Sequence, residues 1–350
     1  MKIGALLLSA MTALALVGCG KEDGATTAAP GGGAGTGAAA SKAGAQPRQA
    51  LTQADLDGVT KASRPYRIAM IVKTRNNPFF DPMIKAAEAE AKALGVELEV
   101  QAPQQETDKE RQFALVQDLT ARPLDALLIT PADSKGIVPA LKQAEAKGVQ
   151  IINLDNRIDT ESLHQAKFDI AAYVGADNAE GGRLAGQAMV DALGSGKVAI
   201  LEGIKDADNA KARKRGFTEG IQGKLEIVAS DTGEWDTQKA YAKFQSMLAA
   251  HPEIEGLFCA NDKMALGALK AISEAGKSGK ITVIGYDNIP DVRPHLQSGA
   301  LHGTVEQHPD LMGKYGVRAA VGVLDKTIAP WREFLVPLEV VKGEQKTARR

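Results

Sequence analysis

Short apolar runs alternate with segments of helical spacing along most of this chain, and this alternation restricts the possible folds more than any other feature. A first series of runs covers 67–72, 96–100, 125–130 and 149–154, and a second covers 171–174, 197–201, 225–229, 256–260 and 281–286. Runs that are apolar throughout predict strands of parallel sheets with helices on both faces. Two successive series predict an α/β fold with two doubly wound parallel-sheet lobes.

Residues 1–19 have the pattern of a leader sequence. Lys2 precedes an apolar stretch, 3–17, that is too short to span a bilayer as a stable anchor. The stretch ends in Leu16-Val17-Gly18-Cys19, which resembles the lipobox of a bacterial lipoprotein signal peptide. We therefore expect a protein of the cell envelope, outside the cytoplasm, that is held on a membrane by a lipidated Cys19. The alternative is an ordinary signal peptide with a chance cysteine.

The composition changes sharply after the leader. Residues 28–45 are nearly all Gly, Ala, Thr, Ser and Pro, which bury too little apolar surface to fold. The sequence predicts a flexible tether over 20–64, with the folded body following it.

Charge and cysteine content exclude several classes of protein. The formal net charge of -1 argues against nucleic-acid binding through bulk electrostatics. Cys259 is the one thiol beyond the leader, so no disulfide can form within the body, and its apolar neighbours favour an inert buried thiol. The five histidines show no metal-ligand spacing and no partnered nucleophile. The sequence thus predicts no enzyme, no metal and no cofactor.

Polar and aromatic side chains follow the predicted strands, where ligands bind to doubly wound sheets. This set comprises Asn77, Phe79, Phe80, Asp155, Asn156, Arg213, Trp235, Asn261, Asp262, Asp287, Asn288 and Gln307. Aromatic rings can stack on the C–H faces of a pyranose, while Asp, Asn, Gln and Arg pair with its hydroxyl groups. The pattern favours a neutral polyhydroxylated ligand.

Structural roles compete with this interpretation residue by residue. Asp155 and Asp287 could be helix N-caps, and Asp262 is the favoured cap of the helix predicted after it. Phe79 and Phe80 could belong to the core, and Arg213 could be a solvated charge. The joint placement of these residues at strand ends in both series favours the binding interpretation.

The body resembles the periplasmic sugar-binding proteins of the ribose-binding type over about 66–341. The resemblance rests on Asn76-Asn77-Pro78-Phe79-Phe80, Val116-Gln117-Asp118-Leu119, 261–268 and 285–291, and the pattern is most similar to the allose-binding members. It implies two lobes, 65–175 with 307–335 and 176–306 with 336–345, joined by three hinge crossings near 174–176, 305–307 and 336–337. It also implies a monomer that presents a monosaccharide to the permease and ATPase subunits of an ABC importer. The ligand contacts that it implies are Lys73, Asn77, Phe79, Phe80, Asp155, Asn156, Arg213, Trp235, Asn261, Asp287 and Gln307.

Two departures from the ribose-binding pattern concern the ligand. Ribose binders carry Arg at the position of Asn156 and Asn at that of Thr130, and the allose-binding pattern has Glu at 156. A hexose such as allose is expected, with an inositol or another polyol as the alternative. A sugar sensor that feeds a signalling receptor would use the same binding chemistry. A repressor of related architecture would need an N-terminal helix-turn-helix, which the leader and tether replace.

Overall fold

The computed structural model describes residues 49–343, in which two sets of strands alternate with helices. The strands are β1 (Gln49–Ala50), β2 (Arg67–Ile71), β3 (Glu97–Gln101), β4 (Ala126–Ile129), β5 (Gln150–Leu154), β6 (Ala172–Gly175), β7 (Gly196–Glu202), β8 (Leu225–Thr232), β9 (Gly256–Cys259), β10 (Thr282–Tyr286), β11 (Gly303–Glu306), β12 (Arg332–Leu335) and β13 (Glu339–Lys342). The helices are α1 (Gln53–Asp57), α2 (Phe80–Leu94), α3 (Lys109–Thr120), α4 (Val138–Glu145), α5 (Thr160–Gln165), α6 (Asn178–Leu193), α7 (Asp208–Gly220), α8 (Thr237–Ala250), α9 (Asp262–Glu274), α10 (Arg293–Gln297) and α11 (Pro309–Leu324), with a 3₁₀ turn at Pro290–Val292.

The strands form two sheets. The first has the order β1-β12-β6-β5-β4-β2-β3 and the second β13-β11-β10-β9-β7-β8. Pairing is parallel throughout the first sheet, and in the second the edge strand β13 runs antiparallel to β11. The predicted α/β fold with two doubly wound lobes is confirmed, with β13 as an added antiparallel edge.

Strand β4 shows why the predicted runs are apolar without interruption. Its four residues are all buried, because helices cover both faces of the first sheet. Leu128 packs in the same core as Met83 of α2, whereas Leu127 packs in a second core with Leu115 of α3 and Leu141 of α4. Successive side chains of a strand point to opposite faces, so a strand between two helical layers needs apolar residues at every position.

The chain passes between the two sheets three times. It leaves the first sheet after β6, returns between β11 and α11, and leaves again between β12 and β13. These passages lie where the family resemblance implied the three crossings. They bring the carboxyl ends of strands from both sheets to one region of the molecule.

Two expectations need correction. The run 171–174 was expected to begin the second series, but β6 pairs with β5 and β12 in the first sheet. The tether was expected to reach residue 64, but β1 pairs in parallel with β12 and Leu56 of α1 is fully buried. The capping box that Thr52 forms with Asp55 supports this short helix locally.

The predicted leader with Cys19, and residues 20–48 of the predicted tether, lie outside the described residues. Within 49–343, none of the helices has the length and apolarity to cross a membrane.

Candidate functional site

Loops at the carboxyl ends of both sheets surround a space that is called the cavity below. About 230 Å³ of it, including space open to solvent, holds no protein atom. The lining side chains are Lys73, Asn77, Phe79, Phe80, Glu106 and Asp155 from the lobe of the first sheet, and Asn209, Arg213, Trp235, Asn261, Asp287 and Gln307 from the second lobe and its junction. The structure thus brings together all of the predicted contact residues except Asn156.

Aromatic rings supply the apolar part of the cavity wall. Phe79 and Phe80 begin α2 and meet edge to face, with their ring centroids 5.1 Å apart. Trp235 follows β8 in a left-handed backbone conformation (φ 62°) that turns its buried side chain toward the cavity. Such rings offer flat faces against which the C–H groups of a ligand can stack.

Arg213 is held rigidly at the other side of the cavity. Helix α7 approaches α6 closely at Gly216, where a Cβ atom would lie 1.8 Å from the carbonyl oxygen of Ala179. This approach lets Arg213 Nε donate to Asn178 Oδ1 (2.7 Å) while Nη1 donates to the carbonyl of Ala260 (2.8 Å). The guanidinium is therefore buried and oriented by the protein before any ligand is considered.

Asp287 forms a polar group with Arg213 and Gln307. Gln307 Nε2 donates to Asp287 Oδ1 (2.7 Å), and Arg213 Nη2 donates to Gln307 Oε1 (3.2 Å). The Arg213 Nη1 atom lies 3.6 Å from Asp287 Oδ1. Burial raises the pKa of Asp287 well above its ordinary value, while Arg213 opposes the rise. This carboxylate is costly to bury and gains from any further hydrogen-bond donor.

Two more buried carboxyl groups face the cavity. Glu106 accepts a hydrogen bond from Asn77 Nδ2 (2.8 Å), and Asn77 Oδ1 in turn accepts one from the backbone of Phe79 (3.1 Å). Burial raises the pKa of both Glu106 and Asp155, and Lys73 opposes the rise in each case. Three carboxyl groups and two cations thus share a small space, so hydroxyl groups that both donate and accept would suit it.

Three buried polar atoms of the cavity residues lack a hydrogen-bond partner. These are Asp155 Oδ1 and Asn209 Oδ1, which are acceptors, and Trp235 Nε1, which is a donor. An unpaired buried polar group costs roughly 1–3 kcal/mol. A ligand that carries both donors and acceptors would remove that cost.

The helix cap that was expected at Asp262 is instead provided by Asn261. Asn261 is the N-cap of α9, and its Oδ1 accepts from the backbone of Met264 (2.9 Å) while the residue also lines the cavity. Asp262 accepts instead from the backbone N–H groups of Tyr286 and Ile289, both at 3.0 Å. The prediction that Asp262 caps this helix is wrong, because its carboxylate ties β10 to the start of α9.

Asn156 does not line the cavity, contrary to the contact set that the family resemblance implied. Its side chain is fully buried, and Nδ2 donates to the carbonyl of Pro131 (2.7 Å) and to Ser134 Oγ (3.2 Å). Its Oδ1 accepts from the backbone of Asn209 (3.0 Å). Both ends of the amide are occupied by protein groups, so its departure from the family pattern does not change the cavity wall directly.

Glu106 and Asn209 line the cavity without having been predicted. Glu106 lies in the loop that follows β3, so a search of the residues after this strand, like that made after the other strands, could have found it. Asn209 lies four residues before Arg213 on α7, on the same helical face. Helical spacing from Arg213 was the available signal for this residue.

Over residues 49–343, no group of three or more His, Cys, Asp or Glu side chains is arranged to hold a metal ion.

Comparison with known proteins places this geometry in a family. Residues 68–328 match the model of the periplasmic binding protein domain. A D-ribose/D-allose-binding protein of Pseudomonas aeruginosa is 36% identical over 262 residues, which are 74% of this chain and 82% of that protein. The D-allose-binding periplasmic protein of Escherichia coli is 35% identical over 266 residues, 75% of this chain and 86% of that protein.

A solved structure agrees with these relatives. The periplasmic solute-binding protein of an ABC transporter from Actinobacillus succinogenes, crystallised with bound D-allose, matches with a TM-score of 0.75 and 36% identity. The match covers 80% of this chain and 98% of that one.

Proposed function

Because the chain belongs to the periplasmic binding protein family, a family of binding proteins rather than enzymes, we propose that it binds a monosaccharide in the cavity and delivers it to an ABC importer. Its relative from P. aeruginosa is named for D-ribose and D-allose, and its relative from E. coli is named for D-allose. A hexose such as allose is the ligand that we propose for this chain.

The observation that carries the proposal is the mixture of unpartnered buried atoms around the cavity. Asp155 Oδ1 and Asn209 Oδ1 require donors, whereas Trp235 Nε1 requires an acceptor. A sugar hydroxyl can serve as either, and one pyranose ring carries several of them in fixed directions. Phe79 and Phe80 supply apolar faces for the C–H groups of the same ring.

Closure of the two lobes around the ligand is the proposed mechanism. The lobes are 49–175 with 307–335 and 176–306 with 336–343, and the three passages between them act as the hinge. The cavity takes Asp155 from one lobe and Arg213 from the other, so a sugar that touches both binds the closed form better than the open form. That difference in affinity is what shifts the equilibrium toward closure.

A thermal-shift screen of the protein against pentoses, hexoses including D-allose and D-ribose, and inositols tests the proposal. We expect one hexose to raise the melting temperature increasingly with its concentration. A shift with an inositol alone would show that the ligand is a polyol rather than a sugar. No shift with any neutral sugar or polyol would refute the proposal.

Anchoring through Cys19 is a separate proposal that rests on Leu16-Val17-Gly18-Cys19. The thiol carries a lipid, and the chain between it and residue 49 holds a monomeric body at the membrane surface in the cell envelope. Fractionation of cells that express the Cys19→Ser variant tests it. We expect the variant to leave the membrane fraction, and an unchanged distribution would refute the lipid anchor.

A further inference from the structure

The first turn of α7 is capped by the opposite lobe. Its own N-cap residue, Ala207, has no side chain that could accept a hydrogen bond. The backbone N–H of Asp208 instead donates to Ser134 Oγ (3.0 Å), and that of Asn209 donates to Asn156 Oδ1 (3.0 Å). Two of the free N–H groups that every helix presents at its start are thus satisfied by side chains of the other lobe.

Asn156 is fixed in its own lobe before it reaches α7. Its Nδ2 is held by the carbonyl of Pro131 and by Ser134 Oγ, which leaves Oδ1 directed at Asn209. In this arrangement of the lobes the side chain is fully buried. Asn156 therefore sets where the first turn of α7 lies relative to the cavity.

Asn209 has its side chain in the cavity while its backbone is bonded to Asn156. The residue is only 3% exposed, and its Oδ1 is buried without a hydrogen-bond partner. One turn later, on the same helix face, Arg213 also lines the cavity. An amide oxygen in this position can accept a hydrogen bond from a hydroxyl group of a ligand in the cavity.

We propose that Asn209 binds a ligand hydroxyl through Oδ1, and that Asn156 is a positioning residue that orients Asn209 across the cleft. The inference rests on the proposed sugar-binding function and adds a contact to it. The hydrogen bond between Asn156 and Asn209 joins the two lobes, so it forms only on closure. Recognition of that hydroxyl is thereby coupled to closure.

The first test uses Asn209→Ala and calorimetry with the sugar that binds the unmodified protein best. We expect the affinity to fall about tenfold or more. Monodeoxy analogues of that sugar add a specific readout, because the analogue without the hydroxyl at Asn209 should bind the unmodified protein weakly yet lose nothing further in Asn209→Ala. Thr218→Ala, on the exposed face of α7, is the matched control and should bind as before.

The second test asks whether Asn156 acts through Asn209. We expect Asn156→Ala to weaken sugar binding. The double variant, which also carries Asn209→Ala, should bind no more weakly than the single variant with the lower affinity. A purely structural role would lower the melting temperature and add its effect to that of Asn209→Ala. Should Asn156→Ala not fold, the deoxy-sugar comparison with Asn209→Ala still decides the contact.

The outcomes separate the two proposals. If the unmodified protein binds no sugar, the proposed function fails. If it binds a sugar and Asn209→Ala binds equally well, the inference about Asn209 is overturned. Additive losses in the double variant would overturn the positioning role of Asn156.

Discussion

Gly203→Ala is the substitution whose consequence the structure determines most directly. A Cβ atom on Gly203 would lie 2.0 Å from both Cη2 and Cζ2 of Trp235. Carbon atoms in contact are separated by about 3.5–4.0 Å, so the indole must shift by about 1.5–2 Å. The same indole lines the cavity, and its displacement changes the surface offered to the ligand.

We expect Gly203→Ala to fold with a stability loss of about 1–3 kcal/mol, as overpacked cores do. Sugar affinity should fall at least tenfold, which corresponds to about 1.4 kcal/mol. Calorimetry measures the affinity, and urea unfolding without sugar measures the stability. Gly58→Ala is the matched control, because Gly58 has φ -66° and the nearest atoms to its added Cβ lie at 3.4 Å.

A second substitution identifies the cause. The clashing atoms belong to the six-membered ring of the indole. Phenylalanine at position 235 would place no atoms at those positions. Gly203→Ala combined with Trp235→Phe should therefore recover part of the lost stability. A folded Gly203→Ala variant with unchanged sugar affinity would refute the role of Trp235 in binding.

Three other predictions follow from buried ionisable groups. Asp287→Asn should bind sugar about 10- to 150-fold more weakly by calorimetry, since hydrogen bonds to charged groups contribute roughly 1.5–3 kcal/mol. Equal affinity would exclude this contact. Sugar hydroxyls that donate to Asp155, Glu106 and Asp287 should lower the raised pKa values of these carboxyl groups. Sugar binding should therefore release protons, and the affinity should increase as the pH rises. Calorimetry in buffers of different ionisation enthalpy measures the number of protons released, and proton uptake would contradict the prediction. Cys259 is fully buried, and burial raises the pKa of its thiol. It should therefore react with a thiol reagent only after unfolding, and rapid reaction of the native protein would contradict its burial.

Periodicity predicted the fold well because burial acts on every residue of a strand. The four buried residues of β4 are apolar for one reason, contact with helices on both faces, and that reason is visible in the sequence alone. The start of the body was harder to predict. The segment with Thr52 and Leu56 contains only a short helix beside a two-residue strand, so its apolar signal is weak compared with that of a full strand.

The cavity was predictable to the extent that its side chains follow strands directly. Asp155 and Asp287 come immediately after β5 and β10. Because ligands bind at the carboxyl ends of the strands in such sheets, this position alone indicated both residues. Asn156 follows the same rule but turns its amide toward Ser134 and Asn209, and no local pattern fixes that direction. Its partners are distant in sequence, so only the assembled lobes show whether such a residue faces a ligand or the other lobe.

The proposals above for this site all depend on the binding of a neutral monosaccharide in the cavity between the lobes. Isothermal titration of the purified protein with D-allose, and in parallel with D-ribose, tests it most directly. We expect saturable binding of one sugar per chain, with D-allose preferred, and an affinity that is about 10- to 150-fold lower in Asp287→Asn. Binding that is unaffected by Asp287→Asn, or no binding of either sugar or of any other neutral hexose, would contradict it.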